Sequence, residues 1–331
     1  MIWRAVASVA LGVSVLAGTG ARAGCVGTDL FAALPEAERA ALTADAAAAP
    51  HGEGLVFRAS RGEERLTVVG TYHLPDPRHA ALVAEIRPDL AAATTLLVEA
   101  GPEEEAALKA RIATDPGLMF ATDGPTLPEI LPEDLWQELA TVATARGMPA
   151  VLVAKMRPAF LSMILSIPPC ALTEMAEGGG GLDKALMAEA AARDLPVRAV
   201  EPYDTLFTLF EEIPQEDTEA MIRATLVGAE DGPSNSVTMG NLYFARQPRL
   251  IWEFSRHEAL AAGLDPEEVA AQMDLAEELL VVRRNRAWIA PVEAALAEGP
   301  AVLAVGALHL SGAVGVLALL EAEGFTVTRV D

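Results

Sequence analysis

Two histidines occupy the same five-residue frame, Gly70-Thr71-Tyr72-His73-Leu74 and Gly306-Ala307-Leu308-His309-Leu310. With 26 glycines and 5 histidines in 331 residues, chance supplies roughly 0.4 of a Gly-x-x-His, so two copies at the ends of apolar runs are a signal. Two acids end similar runs: Glu99 closes TTLLVEA (94 to 100) and Glu201 closes PVRAVE (196 to 201). Two imidazoles and one or two carboxylates are the ligand types of Zn, Mn or Co sites that keep a position open for water. Without a metal, the same groups serve as general acid and base. Taken singly, each histidine also reads as a hydrogen-bonded residue closing a strand end; the pair together with Glu99 favours a shared site.

The elements that must position these residues are legible in the hydrophobic pattern. Residues 55 to 60 and 64 to 70 flank Arg61-Gly62-Glu63 as a hairpin whose second strand delivers His73. Residues 77 to 91 are helical in pattern, and the continuous apolar run at 94 to 100 is that of a buried parallel strand with Glu99 at its tip. Residues 301 to 330 read as strand, turn, helix, strand, with His309 at the joint and Gly324 ending the helix. Between these units the chain is largely helical in period, near 36 to 49, 102 to 113, 132 to 147 and 157 to 166, with MPAVLVA (148 to 154) readable as strand or helix. Gly178 to Gly181 is the most flexible segment and reads as a lid hinge or, more readily, a loose surface linker; Asp183 is placed to cap the next helix. Residues 203 to 298 show no convincing strand and suggest four or five helices, one over about 266 to 288.

Open α/β sheets bind ligands at the carboxyl ends of their strands, and His73, Glu99, Glu201 and His309 all fall at such ends. The expected glycine role is to let the backbone turn sharply enough to aim each imidazole over the sheet. His51, His79 and His257 read as solvated, with His79 the candidate exception because it lies near His73.

Composition sets the compartment and excludes partners. Residues 1 to 23 carry Arg4, an apolar run from Ala5 to Ala17 and the triplet Ala21-Arg22-Ala23, the pattern of a secretory signal peptide cleaved after Ala23, which implies a periplasmic or secreted protein with no stable membrane insertion after cleavage. Loss of Arg4 and Arg22 takes the formal charge from −23 to −25, with 22 basic and 47 acidic residues left. Nucleic acid and anionic membranes are poor partners for such a chain, since both require a basic patch. Cys25 and Cys170 are the two cysteines, and an exported pair reads as a disulfide. The sequence contains no His-Glu-x-x-His, Gly-x-Ser-x-Gly, phosphate-loop or dinucleotide fingerprint.

The segments VVGTYHL, TLLVEA, GGLDKALMAEA, VRAVEPYDTL, RRNRAW and AVGALHLSGAVGVLALLEAEGFTVTRV, in that order from about residue 55 to 331, resemble the TraB/GumN family. That family is related to the TIKI secreted metalloproteases and more distantly to erythromycin esterases and haem-binding ChaN proteins. By motif position, His73 and His309 match the family's two histidines, Glu99 the acid after the next strand, and Arg284 with Asn285 an Arg-Asn pair; Glu201 matches a less specific acid. Tyr72 stands where an aliphatic residue is more usual, and Pro202 where threonine is common. The resemblance implies metal-dependent hydrolysis of a peptide, amide or ester bond. His73, His309 and Glu99 would then hold Mn, Co or Zn, Glu201 would act as a further acid or base, and Arg284 and Asn285 would position a small peptide or small-molecule substrate. Arg284 alone reads equally as a clamp on a substrate carboxylate or as the partner of an acid on the sheet rim. The alternatives are a non-catalytic protein sequestering a peptide or haem-like ligand in the same cleft, and metal-free esterase chemistry.

The expected architecture is a single α/β domain over residues 24 to 331. It has a central mixed, mostly parallel sheet, flanking helices, and a large all-helical insertion (about 203 to 298) before the C-terminal β-α-β unit.

Overall fold

A computed structural model describes residues 24 to 330; the signal-peptide reading falls on residues outside that range. Six strands form one sheet: β1 (Val56–Arg61), β2 (Glu64–Thr71), β3 (Thr95–Val98), β4 (Val197–Ala199), β5 (Ala301–Gly306) and β6 (Thr326–Arg329), in the order β4-β3-β5-β2-β1-β6. Strands β2, β3, β4 and β5 run parallel, and β1 is antiparallel to both of its neighbours. This is the mixed, mostly parallel sheet expected, with β6 returning in the direction of β5 but separated from it by two strands.

The sheet is buried on both faces, which is why its central strands are continuous apolar runs. Alternate residues serve different cores. Val69, Leu96 and Val302 pack with Leu82, Ile86, Leu186, Tyr243 and Phe254 on one face. Val68, Leu97 and Leu303 pack with Trp288, Val292, Leu317 and Leu320 on the other. The parallel register sets Thr71 beside Gly306 and Val98 beside Ala304, so β2, β5 and β3 end almost level. The polar residues just past those ends therefore share one rim.

Most helices fall where the periodicity puts them, including Glu36–Ala48, His79–Ala92, Pro102–Thr114, Glu133–Ala145 and Pro158–Ser166. Ala150–Val153 of the ambiguous segment is helical. The described residues 203–298 are helical with no strand among them, as expected, and Ile222 and Leu226 from that segment share a third core with Leu135, Leu139, Phe160 and Leu165. One reading changes. The expected 266–288 helix is a longer rod of three pieces: Pro266–Glu277, a π-helical turn Glu278–Val282, and Arg283–Leu296. The Cys25–Cys170 disulfide is present and ties the first described residues to the helix Pro169–Ala176. Among the described residues, no single helix is long and apolar enough to cross a membrane.

Candidate functional site

The two Gly-x-x-His units lie side by side because β2 and β5 are neighbours. Gly306 has φ −49° and ψ 134°, a conformation open to any residue, and Gly70 is not among the residues with positive φ. The glycines therefore do not make the turn; they permit close approach. A Cβ on Gly70 would stand 2.8 Å from Leu310 Cδ1 and 3.0 Å from Ala307 Cα, inside the other motif's 3₁₀ turn. A Cβ on Gly306 would stand 3.2 Å from Glu99 Oε1 and 3.4 Å from both His73 Nε2 and His309 Cδ2. That unfilled space is where the two imidazoles and the carboxylate meet, and it puts the two rings' nearest marked atoms within twice 3.4 Å of each other.

His309 is buried in the turn Ala307–His309 and is held from both ends. Asn285, fully buried, points its amide NH2 at the carbonyls of His309 and Val314 (3.1 and 3.0 Å), which leaves its Oδ1 facing His309 Nδ1 at 2.7 Å. An oxygen only accepts, so the imidazole proton sits on Nδ1 and the Nε2 lone pair is turned toward the site. Arg284 Nη1 donates to that Nε2 at 3.2 Å. Burial, which disfavours charge, together with Arg284 and His73, outweighs the attraction of Glu99 and lowers His309 to about 4.

Arg284 is the hub of the rim, with only 6% of its side chain exposed. Its Nη2 lies 2.6 Å from Glu99 Oε2 and 2.7 Å from Glu201 Oε1, and its Nε donates to Glu201 Oε2 at 3.0 Å. Trp288, one turn along the same helix, donates its indole N–H to Glu201 Oε2 at 2.9 Å and sets its ring 4.5 Å from that of His309. The π turn immediately before Arg283 is a common device at functional sites and directly precedes the turn that carries Arg284 and Asn285. Glu99 also accepts the Gly306 N–H at 2.6 Å. Burial favours its protonated form, but cationic His309 and His73, Arg284 and the Gly306 N–H outweigh burial and hold it at about 2. His309 contributes to this only in acid, since it loses its own charge at about 4. At neutral pH His73, Arg284 and the backbone N–H are the groups that keep Glu99 ionised.

His73 stands on the open side, with 57% of its side chain exposed, and its Nδ1 is 3.5 Å from Asp183 Oδ1. Burial of the ring opposes charge, but Asp183 and the field of Glu99 prevail and raise His73 to about 9. Water reaches the open face and screens part of that attraction, so the rise is smaller than an enclosed ring would show. A cleft of about 750 Å3 runs beside this residue, lined by Tyr72, Leu74, Pro75, Arg78, Glu174 and Gly179 among others. A smaller cavity of about 250 Å3, among Phe160, Phe207, Phe210 and Ile213, lies in the helical layer.

All the sequence-derived candidates thus gather on one rim. Asn285 has its amide committed to His309 and Val314. Arg284 pairs with the rim acids, one of the two readings the sequence allowed. Sequence reasoning missed Trp288, whose i,i+4 spacing from Arg284 was the available signal, and it took Asp183 for a helix cap. Gly181 and not Asp183 is the N-cap. His79 is buried and not solvated, with Nε2 on the Leu74 carbonyl at 2.9 Å.

With two Gly-x-x-His turns on adjacent parallel strands and an Arg-Asn pair closing on the second, the family comparison has a structural counterpart: a family model matches residues 55–329. The chain belongs to the TraB/PrgY/gumN family. Compared with curated proteins and with solved structures, it has no match. Membership of the family leaves the reaction open, since a fold and its site chemistry are separate matters.

The donor types on the rim suit a divalent transition metal: two imidazoles and a carboxylate border the space over Gly306. Among the described residues, no three His, Cys, Asp or Glu side chains are already gathered as a metal-holding group. Two donors are engaged, since His309 Nε2 accepts from Arg284 and His73 holds a proton at neutral pH. Binding an ion here exchanges one N–H contact and one proton for metal bonds.

Proposed function

We propose that the protein is an exported, metal-assisted hydrolase of amide or ester bonds. The observation carrying this reading is the convergence of Glu99 Oε1, His73 Nε2 and the His309 ring on the space left by the missing Gly306 side chain. A divalent ion held by His73, His309 and Glu99 would supply a bound water of lowered pKa and polarise the scissile carbonyl. The chain's own groups fit that task. Asn285 fixes the His309 tautomer so that Nε2 faces inward. Arg284 bridges Glu99 and Glu201, so one guanidinium sits between the two acids of the rim and offsets part of their mutual repulsion. The cleft lined by Tyr72 and Leu74, the chain neighbours of the exposed His73, would receive a substrate. Asp76 in its wall is paired with Arg78, which leaves Glu174 as the acid bordering the cleft, on a chain of net charge −23. The disulfide is consistent with an oxidising compartment, as export requires.

A second reading rests on the saturation of Arg284, whose contacts to Glu99, Glu201 and His309 make the rim self-sufficient. In that reading the cleft sequesters a peptide or haem-like ligand and performs no reaction. Protein purified without chelator and assayed on peptide and ester libraries with added Mn, Co or Zn separates the two. Metal-dependent turnover abolished by His73→Ala and His309→Ala is expected. Stoichiometric ligand binding with no turnover under any metal would overturn the hydrolase reading.

A further inference from the structure

The glycine run ends at Gly181, which is packed against the His73 turn and leads into a residue that faces His73. Leu182 N–H donates to the Tyr72 carbonyl at 2.9 Å. A Cβ on Gly181 would lie 2.2 Å from that carbonyl oxygen and 2.4 Å from His73 Cα, so only glycine permits the two backbones to touch. The contact holds the first turn of the helix Leu182–Ala191 against the His73 turn. Two residues on, Asp183 turns its side chain back to the ring.

The local explanations for Asp183 do not hold. Gly181 and not Asp183 is the N-cap, and Asp183 Oδ1 is buried with no hydrogen-bond partner of ordinary geometry among the described residues. Its recorded ion-pair contact is His73 Nδ1 at 3.5 Å, the outer edge of a hydrogen bond. A buried carboxylate oxygen left otherwise unsatisfied is costly, so its retention beside one imidazole nitrogen calls for a reason.

We infer that Asp183 is the positioning residue of His73. By accepting from Nδ1 it fixes the ring so that Nε2, the atom 3.4 Å from the space over Gly306, faces Glu99 and His309. The site is then built symmetrically. Asn285 holds His309 by Nδ1 and Asp183 holds His73 by Nδ1, and each leaves Nε2 turned to the shared rim. One orienting group is a buried neutral amide on the closed side, and the other is a carboxylate on the open side. Such partners fix the tautomer and raise the basicity of an imidazole that binds metal or moves a proton.

The inference deepens the hydrolase reading but does not depend on it, because its first test needs neither metal nor activity. Ring-nitrogen NMR of metal-free protein, with His73 assigned through His73→Ala, is recorded at a pH above the titration of His73. The wild type is expected to show the Nδ1–H tautomer. Asp183→Ala should shift it to the Nε2–H form that free imidazole prefers, and Asp183→Asn, whose amide oxygen still accepts, should retain Nδ1–H. Asp183→Leu replaces the alanine variant if that does not fold. An unchanged tautomer in a folded Asp183→Ala or Asp183→Leu protein overturns the assignment. The second readout is Co(II) titration calorimetry, where Asp183→Ala should weaken binding about 10- to 100-fold and Asp183→Asn less. A tautomer shift in a protein that binds no Co(II) at all would uphold Asp183 as the positioning residue and sink the metal-hydrolase reading instead.

Discussion

Arg284 Nη1 meets His309 Nε2 at 3.2 Å, and because a guanidinium can only donate, the imidazole must be neutral with its lone pair engaged. A buried neutral histidine ties stability to pH. The unfolded chain takes up a proton as pH falls through 6.5, whereas folded His309 resists until about 4. Its contribution is thus complete above pH 6.5 and is lost between there and pH 4, on the order of 3 kcal/mol at most. Glu99, lowered to about 2 from 4.5, loses its contribution in a second window as pH falls through that range. His73, raised, acts oppositely, with stability present below pH 6.5 and fading as pH rises toward 9. Denaturant titrations of chelator-treated protein from pH 4 to 7 should show the first loss in wild type and a flatter profile in His309→Asn. Identical slopes would contradict a neutral His309.

The same guanidinium pairs with Glu99 and Glu201, and its removal leaves two acids without their cation. Arg284→Met is expected to destabilise by about 3 to 5 kcal/mol, the cost of breaking a buried ion pair from one side. Arg284→Lys keeps the charge but not the fork, and should fall between. Adding Glu201→Gln to Arg284→Met should recover part of the loss. A thermal midpoint for Arg284→Met equal to wild type would show that the acids are not held by this residue.

How much of this was legible in the sequence differs by residue. The strands and their terminal acids were readable because β2, β3 and β5 are buried on both faces, which forces continuous apolar runs with the first polar residue at the tip. The pairing of His73 with His309 was readable from the repeated Gly-x-x-His frame. The reason for its glycines was not, since close approach depends on the neighbouring strand and not on local backbone conformation. Asp183 and the glycine run were misread because a polar residue after glycines is locally indistinguishable from a helix cap, and its true partner lies on another loop. The helices were readable one by one, but the core shared by segments about ninety residues apart was not, a pairing no helical period can reveal.

The Cys25–Cys170 bridge closes a loop of sequence separation 145, long enough that its loss should cost up to about 4 to 5 kcal/mol in the chain-entropy picture. Ala171 is buried beside one end, and Gly24, Cys25 and Ala171 line the cleft by His73. Reduction, or Cys25→Ser with Cys170→Ser, should lower the thermal midpoint and loosen that wall, raising the KM for any substrate more than it lowers kcat. Non-reducing mass spectrometry of oxidised protein checks the bridge directly, and two free thiols there would remove the premise.

Gly306 offers the sharpest separation of site from scaffold. Its backbone conformation suits any residue, so alanine there should leave the chain direction of β5 intact. The added methyl would stand 3.2 Å from Glu99 Oε1 and 3.4 Å from His73 Nε2 and His309 Cδ2, filling the space in which the proposed ion and water would sit. Those three neighbours are side chains that can give by a few tenths of an ångström, so the cost in stability should stay near the lower end of the roughly 1 to 3 kcal/mol typical of overpacking. Gly70→Ala is the control. Its methyl meets the Ala307 backbone at 3.0 Å as well as Leu310 at 2.8 Å, so it should destabilise more for the same added volume. Metal titration and denaturant unfolding of both variants therefore make a paired measurement. Gly306→Ala should lose Mn or Co binding with a small loss of stability, and Gly70→Ala should lose more stability. Full metal affinity in Gly306→Ala would mean that the space over this residue is not the site.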